Sequence, residues 1–335
     1  LCFPIRSNAV PYLPPLTKLC GIIMDPEVMP GMLDYHPASL PPTLTSFRHL
    51  NFAVYLDSLW NSLPPKLLTL SGMCLDRAIP TSWPSSLQHL DTTVELQNWG
   101  KFNSISSKDP NSAAPHQHSH SNHGHKIEPA SGTGCIFPNS LTSLFIKLNS
   151  PAPLLSVIPQ SKHLQKLGIN VRFSDPHYTF KSGWSRWLPP SLEEFTLSSY
   201  YPLCDSSWFE ALNLPNLRHL NFDIDWDDKL LSSRTAFAYL PKTLDTIIMR
   251  LPKDFEEIDW QPFTKLRHMR VRCLASSAFG VKPSFYPPNL ASLTIIALES
   301  TPFVPQKFAD HFINSHIRIK LLLYSDGKPV DALSW

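Results

Sequence analysis

Five histidines in one short stretch have the clearest capacity for chemistry, because neutral imidazoles bind zinc, copper or nickel. They are His116, His118, His120, His123 and His125. The surrounding residues, 99–136, are rich in Ser, Asn and Pro and poor in aliphatic side chains, so burial cannot offset the entropy cost of ordering them. A metal site also needs ligands that are fixed by their surroundings. We therefore predict a disordered insertion and no metal site or cofactor; the alternative is a metal or pH response in which His116, His118 and His120 are the candidate ligands.

A second group of possible ligands is acidic. Asp223, Asp225, Asp227 and Asp228 form a D-x-D-x-D run, which resembles the start of a calcium-binding loop. An EF-hand loop needs Gly at its sixth position and Glu at its twelfth. Here those positions hold Asp228 and Arg234. The run is therefore interpreted as a solvated acidic rim, with calcium binding as the weaker alternative.

Catalytic motifs are missing from the rest of the sequence. The six cysteines lie far apart without a CxxC pair, so neither a zinc nor a redox motif is indicated. Only 11 glycines are present, too few for a phosphate-binding loop. No Ser, His and Asp can be grouped into a nucleophile, base and orienting acid without arbitrary choice. We predict that the protein is not an enzyme.

The composition limits the architecture and the partners. The 34 prolines are about twice the usual share of about 5%, and they exclude long helices. The 29 basic and 27 acidic residues give a net charge of +2, so the composition lacks the strongly basic charge that is typical of nucleic-acid-binding proteins. Apolar stretches are too short to cross a bilayer. The absence of Asn-x-Ser/Thr sequons favours an intracellular location, cytoplasmic or nuclear.

The elements that would position any binding side chains repeat along the chain as (L/F/Y/W)-P-x-x-L-x-x-L-x-(L/I/V). Clear copies begin at Leu63, Trp83, Phe137, Leu188, Leu240 and Tyr286, and looser copies at Leu13, Leu40, Ile158, Leu214 and Pro262. From Leu141 to Leu290 the anchor leucines are 22 to 28 residues apart. The interval from Leu87 to Leu141 is two periods, or one period plus an insertion.

This spacing predicts one short strand per repeat. The last apolar positions of each copy are two apart, as one face of a strand requires. Such strands bury their apolar side only by stacking into a parallel sheet. The predicted fold class is α/β: a leucine-rich-repeat-like solenoid with a curved parallel sheet and an irregular, Pro-rich, short-helical convex side. It forms a single domain over 1–335, with the insertion at 99–136 and a C-terminal cap at 306–335.

Two local predictions belong to this register. In 40–52, both Leu44-Thr-Ser-Phe47 and Phe47-Arg-His-Leu50 fit the repeat, and we prefer the second because residues 217–222 are almost the same hexapeptide. In the cap, Lys307 to Ser315 is predicted as a short helix and Ile317 to Tyr324 as a strand, followed by a turn at 325–328.

On these motifs the chain resembles the leucine-rich-repeat superfamily over roughly residues 13–300. Its L-P-P-S-L repeats are similar to irregular repeats of fungal and amoebal proteins and to the repeat domains of F-box-type ubiquitin-ligase receptors. The usual Asn or Cys after the strand is not consistently present, since Gly72, Thr92 and Met249 fill the strand-end positions. No F-box segment is visible, and one, if it exists, is expected before Leu1.

Side chains that alternate with the buried positions are expected on a concave strand face. The predicted partner-binding residues are Glu194, His219, Asn221, Asp223, Arg250, His268, Arg270 and Arg272. They suggest an acidic zone beside a basic one, which would orient a protein partner. His49, His89, His219 and His268 recur at one repeat position but are too far apart to share a metal ion.

The predicted function is therefore a protein-interaction scaffold that acts as a monomer on protein partners, with a substrate receptor of a ubiquitin-ligase complex as one form. Neither nucleic acid nor membrane is an expected partner. The alternatives are a secreted ligand-binding or effector protein and a non-classical enzyme that uses the 99–136 insertion.

Overall fold

The computed structural model describes fourteen segments of the chain: 17–22, 41–49, 63–75, 83–94, 137–148, 162–171, 188–199, 209–210, 212–224, 233–250, 255–273, 286–297, 315–325 and 328–334. Three predicted features lie outside these segments: the histidine-rich insertion, Asp225 to Asp228, and residues 307–314 of the helix predicted from Lys307 to Ser315. All structural statements below concern the described residues.

Thirteen strands in the described segments form one sheet, and strands that follow each other in sequence are neighbours in space. They are β1 Lys18–Ile22, β2 Ser46–His49, β3 Thr69–Leu75, β4 His89–Val94, β5 Ser143–Leu148, β6 Lys166–Val171, β7 Glu194–Ser199, β8 His219–Asp223, β9 Thr246–Arg250, β10 His268–Cys273, β11 Ser292–Ala297, β12 Arg318–Ser325 and β13 Lys328–Ser334. Each of β1 to β11 follows one predicted repeat start, and β1 to β12 all pair in parallel. The predicted leucine-rich-repeat-like solenoid is confirmed.

In the six clear copies of the repeat, and in the looser copy at Leu40, the P-x-x-L part is a turn that leads into the strand. The amide of Leu44 donates a hydrogen bond to the carbonyl of Pro41 at 3.0 Å, and Leu192 donates to Pro189 at 3.2 Å in the same way. A proline at the second turn position fits because its φ near −65° is already the value that a β-turn needs. The doubled prolines therefore direct the chain into the sheet without leaving an unpaired amide.

At six corners a hydroxyl or amide side chain just before the anchor leucine bonds to the preceding repeat. The bonds run from Ser86 Oγ to Leu67 O (2.8 Å), Ser140 Oγ to Leu87 O (2.6 Å), Ser191 Oγ to Leu164 O (2.8 Å), Thr243 Oγ1 to Leu217 O (2.8 Å), Asn216 Nδ2 to Pro190 O (3.1 Å) and Asn289 Nδ2 to Thr264 O (2.8 Å). This corner ladder precedes the strand, whereas the polar residue expected from the resemblance would follow it.

The core lies on one side of the sheet and, among the described side chains, runs from β2 to β12. Leu144, Leu220 and Leu293 occupy equivalent strand positions and are at most 2% exposed. A second inward row, two residues further on, includes Ile169, Leu197 and similar residues of the neighbouring strands. Each strand contributes too little apolar surface to fold alone, so stability comes from stacking between neighbours.

The opposite wall of the core is irregular and aromatic. It contains the short helix α1, Ser233–Ala238, and a 3-10 helix, Phe255–Glu257. The Trp260 ring packs edge-on against Phe237, with centroids 5.2 Å apart, and lies 5.4 Å from Phe255. Large rings fill the space that longer helices would occupy in a repeat with fewer prolines.

Two expectations about the ends need correction or extension. In the second repeat Leu44 is the buried anchor and Phe47 pairs with Leu70, so the preferred register around Leu50 is wrong. The strand predicted at Ile317 to Tyr324 is present as β12, but β13 was not foreseen and pairs antiparallel to it. Only residues 326 and 327 separate these strands, too few for the crossover that a parallel pair requires. β4 and β5 pair directly, so the interval of 54 residues from Leu87 to Leu141 is one repeat period plus an insertion.

Candidate functional site: the exposed strand face

One face of the parallel sheet is covered by the core, and the other presents three rows of side chains across the strands. In β7 the three rows are marked by Glu194, Thr196 and Ser198, which alternate with the buried Phe195 and Leu197. We call these the entry, middle and exit rows, and together the strand face. The strand register carries the entry and middle rows from β1 to β12 and the exit row from β4 to β12.

All eight predicted partner-binding residues lie on the strand face. Glu194, His219 and His268 are in the entry row, Asn221 and Arg270 in the middle row, and Asp223, Arg250 and Arg272 in the exit row. They are half-buried or exposed. Period-two alternation after each anchor leucine was sufficient to place them there.

The exit row brings three of these charges together. Arg250 and Arg272 are direct neighbours on β9 and β10, and Asp223 on β8 binds both of them. Arg250 Nε lies 3.1 Å from Asp223 Oδ1, and Arg272 Nη1 contacts Asp223 Oδ2. The Asp223 side chain is only 20% exposed. The carboxylate thus relieves the repulsion between two opposed guanidinium groups.

The predicted acidic zone is not an open one. Its predicted acids are Asp223, Glu194 and Asp225, of which Asp225 lies outside the described residues. Glu194 Oε2 lies 2.8 Å from Lys166 Nζ on the neighbouring strand. That hydrogen bond and the Glu194 charge raise the pKa of Lys166. Because Glu194 and Asp223 are each engaged by an intramolecular base, the expectation of an acidic zone beside a basic one is corrected for these two residues.

The strand face is basic as a whole. On β1 to β12 it carries the bases Lys18, Arg48, Lys147, Lys166, Arg250, Arg270, Arg272, Arg318 and Lys320, and the acids Asp91, Glu194 and Asp223. With neutral histidines its net charge is +6, while the whole chain carries +2, so all other residues together carry −4. The positive charge is concentrated on this face. Six of these bases are not among the eight predicted partner-binding residues: Lys18, Arg48, Lys147, Lys166, Arg318 and Lys320.

The middle row holds polar atoms that lack partners among the described residues. Asn221 Oδ1 and Arg270 Nε are both buried and make no hydrogen bond. Ile248 lies between them in the row, on β9. A buried donor or acceptor without a partner costs about 1–3 kcal/mol. These two groups are the least satisfied part of the predicted site.

The N-terminal half of the strand face is built around Phe145. Its ring lies over the backbone of Gly168 on the next strand, so close that a β-carbon there would be 2.1 Å from Phe145 Cδ2. On the other side Phe145 neighbours Asp91, whose Oδ1 is buried without a partner. Burial raises the pKa of Asp91, and the charges of Lys147 and Arg48 oppose that effect.

Histidines on this face do not form a catalytic or metal site. His268 Nδ1 lies 2.8 Å from Ser292 Oγ, both in the entry row, but the described residues place no carboxylate on the ring to orient it. His219 is two strands from His268, about 10 Å, and His89 is four strands from His219. His49 does not share their row, because Ser46 holds that position. No group of three potential ligands occurs among the described residues.

Comparisons with known proteins add little beyond the fold. No protein-family model matches the chain, and no curated protein matches it. One solved structure that it resembles is CroV588, described as a novel circular leucine-rich-repeat protein. The sequences are 14% identical, the alignment covers 85% of this chain and 47% of that chain, and the TM-score is 0.28. The chain therefore spans about half the length of that protein, and a likeness at this level supports no inference about function.

The described helices include none that is long and apolar enough to span a membrane.

Proposed function

We propose that this protein is a non-catalytic interaction scaffold that binds a protein partner on the strand face. The observation that carries the proposal is the pair of unpartnered polar atoms in the middle row, Asn221 Oδ1 and Arg270 Nε. Buried polar groups are almost always hydrogen-bonded in folded proteins. A partner that seats on this face would supply the missing acceptor and donor once these side chains turn towards it.

The finer assignments depend on the sequence. The resemblance of the L-P-P-S-L repeats to those of F-box-type receptors favours a substrate receptor of a ubiquitin ligase as the specific role. An intracellular, monomeric protein that binds neither nucleic acid nor membranes fits that role. These assignments remain proposals.

The test places a bulky side chain at the centre of the strand face. Thr196 lies in the middle row between Gly168 and Asn221, and its side chain is half-buried. We expect Thr196→Trp to reduce recovery of the bound partners in quantitative affinity capture by at least about tenfold, because a misfitting group at the centre of an interface excludes close contact.

The matched control is Thr264→Trp, the same substitution at an exposed turn outside the strand face. Thr264 accepts a hydrogen bond only through its backbone carbonyl, which the substitution leaves in place. Recovery by the control should equal that of the unmodified protein. A folded Thr196→Trp variant that retains the same partners at the same level would show that the strand face is not the binding surface.

A further inference from the structure

The C-terminal third of the strand face carries bases almost without acids. Strands β9 to β12 contribute Arg250, Arg270, Arg272, Arg318 and Lys320, and no acidic residue lies on the face of these four strands. On the face of the adjoining strand β8, Asp223 already binds two of the arginines. We call these five bases the basic cluster.

Arg270 is the member of the basic cluster whose buried Nε lacks an acceptor among the described residues, so a carboxylate of the partner would reach it once the side chain turns outwards. It lies in the middle row between Ile248 and Thr294, neither of which offers a negative charge. Its Nε has no hydrogen-bond partner among the described residues. A guanidinium presents a planar fork of donors that fits a carboxylate through two parallel bonds, so this side chain lacks the anion that it is shaped to bind.

The neighbouring Asp223 shows which anion this surface accommodates. Its carboxylate takes one donor from Arg250 and one from Arg272, and the three side chains remain at least one fifth exposed. The strand face therefore already binds one carboxylate with two arginines, at a position open to the outside. Arg270, one row away on β10, has the same donors without such an acid.

We propose that the basic cluster binds an acidic polypeptide segment of the protein partner, with a carboxylate of that segment on Arg270. This rests on the proposed scaffold function and names the chemistry of its partner. Charge complementarity supports it, because the strand face carries +6 while the remainder of the chain carries −4. The positive charge of the strand face would attract an acidic segment, and the negative charge of the remaining surface would repel it.

A polypeptide fits this face better than a nucleic acid. A nucleic-acid backbone presents a nearly continuous line of charge, with about one negative charge per 1.7 Å of duplex. On the strand face Asp91, Glu194 and Asp223 lie between the basic cluster and the bases of the N-terminal strands, so the bases form no continuous line of positive charge. A peptide can place carboxylates opposite the basic cluster and neutral or basic residues opposite these acids.

The experiment measures the fluorescence anisotropy of a labelled peptide of alternating Glu and Ser, about ten residues long, titrated with the full chain at about 50 and 150 mM salt. Binding at the lower salt concentration, weakened at the higher one, is expected. The double variant Arg270→Gln/Arg272→Gln should bind at least about tenfold more weakly. A second variant, Arg318→Gln/Lys320→Gln, should also bind more weakly and changes only exposed side chains of β12.

The matched control is Lys162→Gln/Lys265→Gln, which removes the same charge from exposed turn residues outside the strand face. Its affinity should stay within about twofold of the unmodified protein, since both lysines lie outside the strand face and salt screens exposed charges. Equal weakening by the control and the Arg270/Arg272 variant would overturn the proposal, because binding would then depend on net charge alone.

Two further outcomes are decisive. A single-stranded oligonucleotide of the same charge that binds more tightly than the peptide, and loses affinity in the same variants, would overturn the proposal in favour of a nucleic acid. If the peptide does not bind but Thr196→Trp still abolishes partner capture, the acidic segment is refuted while the scaffold function stands.

Discussion

The contact between Phe145 and Gly168 provides a direct test of the strand register on which the strand face depends. In Gly168→Ala the new β-carbon would lie 2.1 Å from Phe145 Cδ2 and 2.6 Å from Cε2. Carbon atoms pack best about 3.5–4.0 Å apart, so the ring must retreat by about 1.4 Å or more. Overpacking of this kind costs about 1–3 kcal/mol. Replacing glycine restricts the unfolded chain, which stabilises the folded state by about 0.4–1 kcal/mol. We expect a net loss of stability of about 1–2 kcal/mol.

The assay is urea denaturation followed by circular dichroism, repeated in a Phe145→Ala background. Without the ring, Gly168→Ala should be neutral or stabilising by up to about 1 kcal/mol, because this glycine has no positive φ. The difference between the two backgrounds is the coupling energy of the pair. Equal effects of Gly168→Ala in both backgrounds would refute the β5–β6 register, and with it the rows that define the strand face.

Two other predictions concern the corner ladder and Asp91. Thr243→Val keeps the shape of the side chain but removes its hydrogen bond to the preceding repeat, so it should lower the unfolding free energy by about 0.5–1.5 kcal/mol. The control is Thr294→Val on the strand face. Thr294 makes no such bond within the described part of the chain, so this variant should be nearly neutral in the same denaturation assay. Because burial raises the pKa of Asp91, its ionisation opposes folding, and this penalty grows as the pH rises above the unfolded value of 3.8. Asp91→Asn should therefore be more stable than the unmodified protein at pH 7, and the advantage should shrink towards pH 4; an advantage that is constant with pH would contradict the assigned cause.

The sequence was sufficient to predict the repeat, the parallel strands and the face on which the eight site residues lie. This worked because one feature, an anchor leucine followed by period-two alternation, determines all three. The register predicted for the second repeat was wrong because two registers matched the apolar pattern. The better guide was turn chemistry, since Pro41 must stand three residues before the anchor Leu44.

What the sequence could not predict depends on contacts between strands. The Asp223–Arg272 ion pair joins residues 49 apart on strands that are not direct neighbours. Whether Asp223 is an open acid or an internally paired one follows only from the exact stagger of three strands. The same holds for Phe145 over Gly168, where the glycine gives no local signal because its backbone is ordinary.

The corner ladder also gives the array a direction. Every donor in it, from Ser86 to Asn289, reaches back to a carbonyl of the repeat before it. A chain that is synthesised from its N-terminus therefore presents acceptors before the matching donors emerge from the ribosome. Each new repeat can pack on the repeat that is already folded, and its donor finds the matching carbonyl in residues that have already been synthesised.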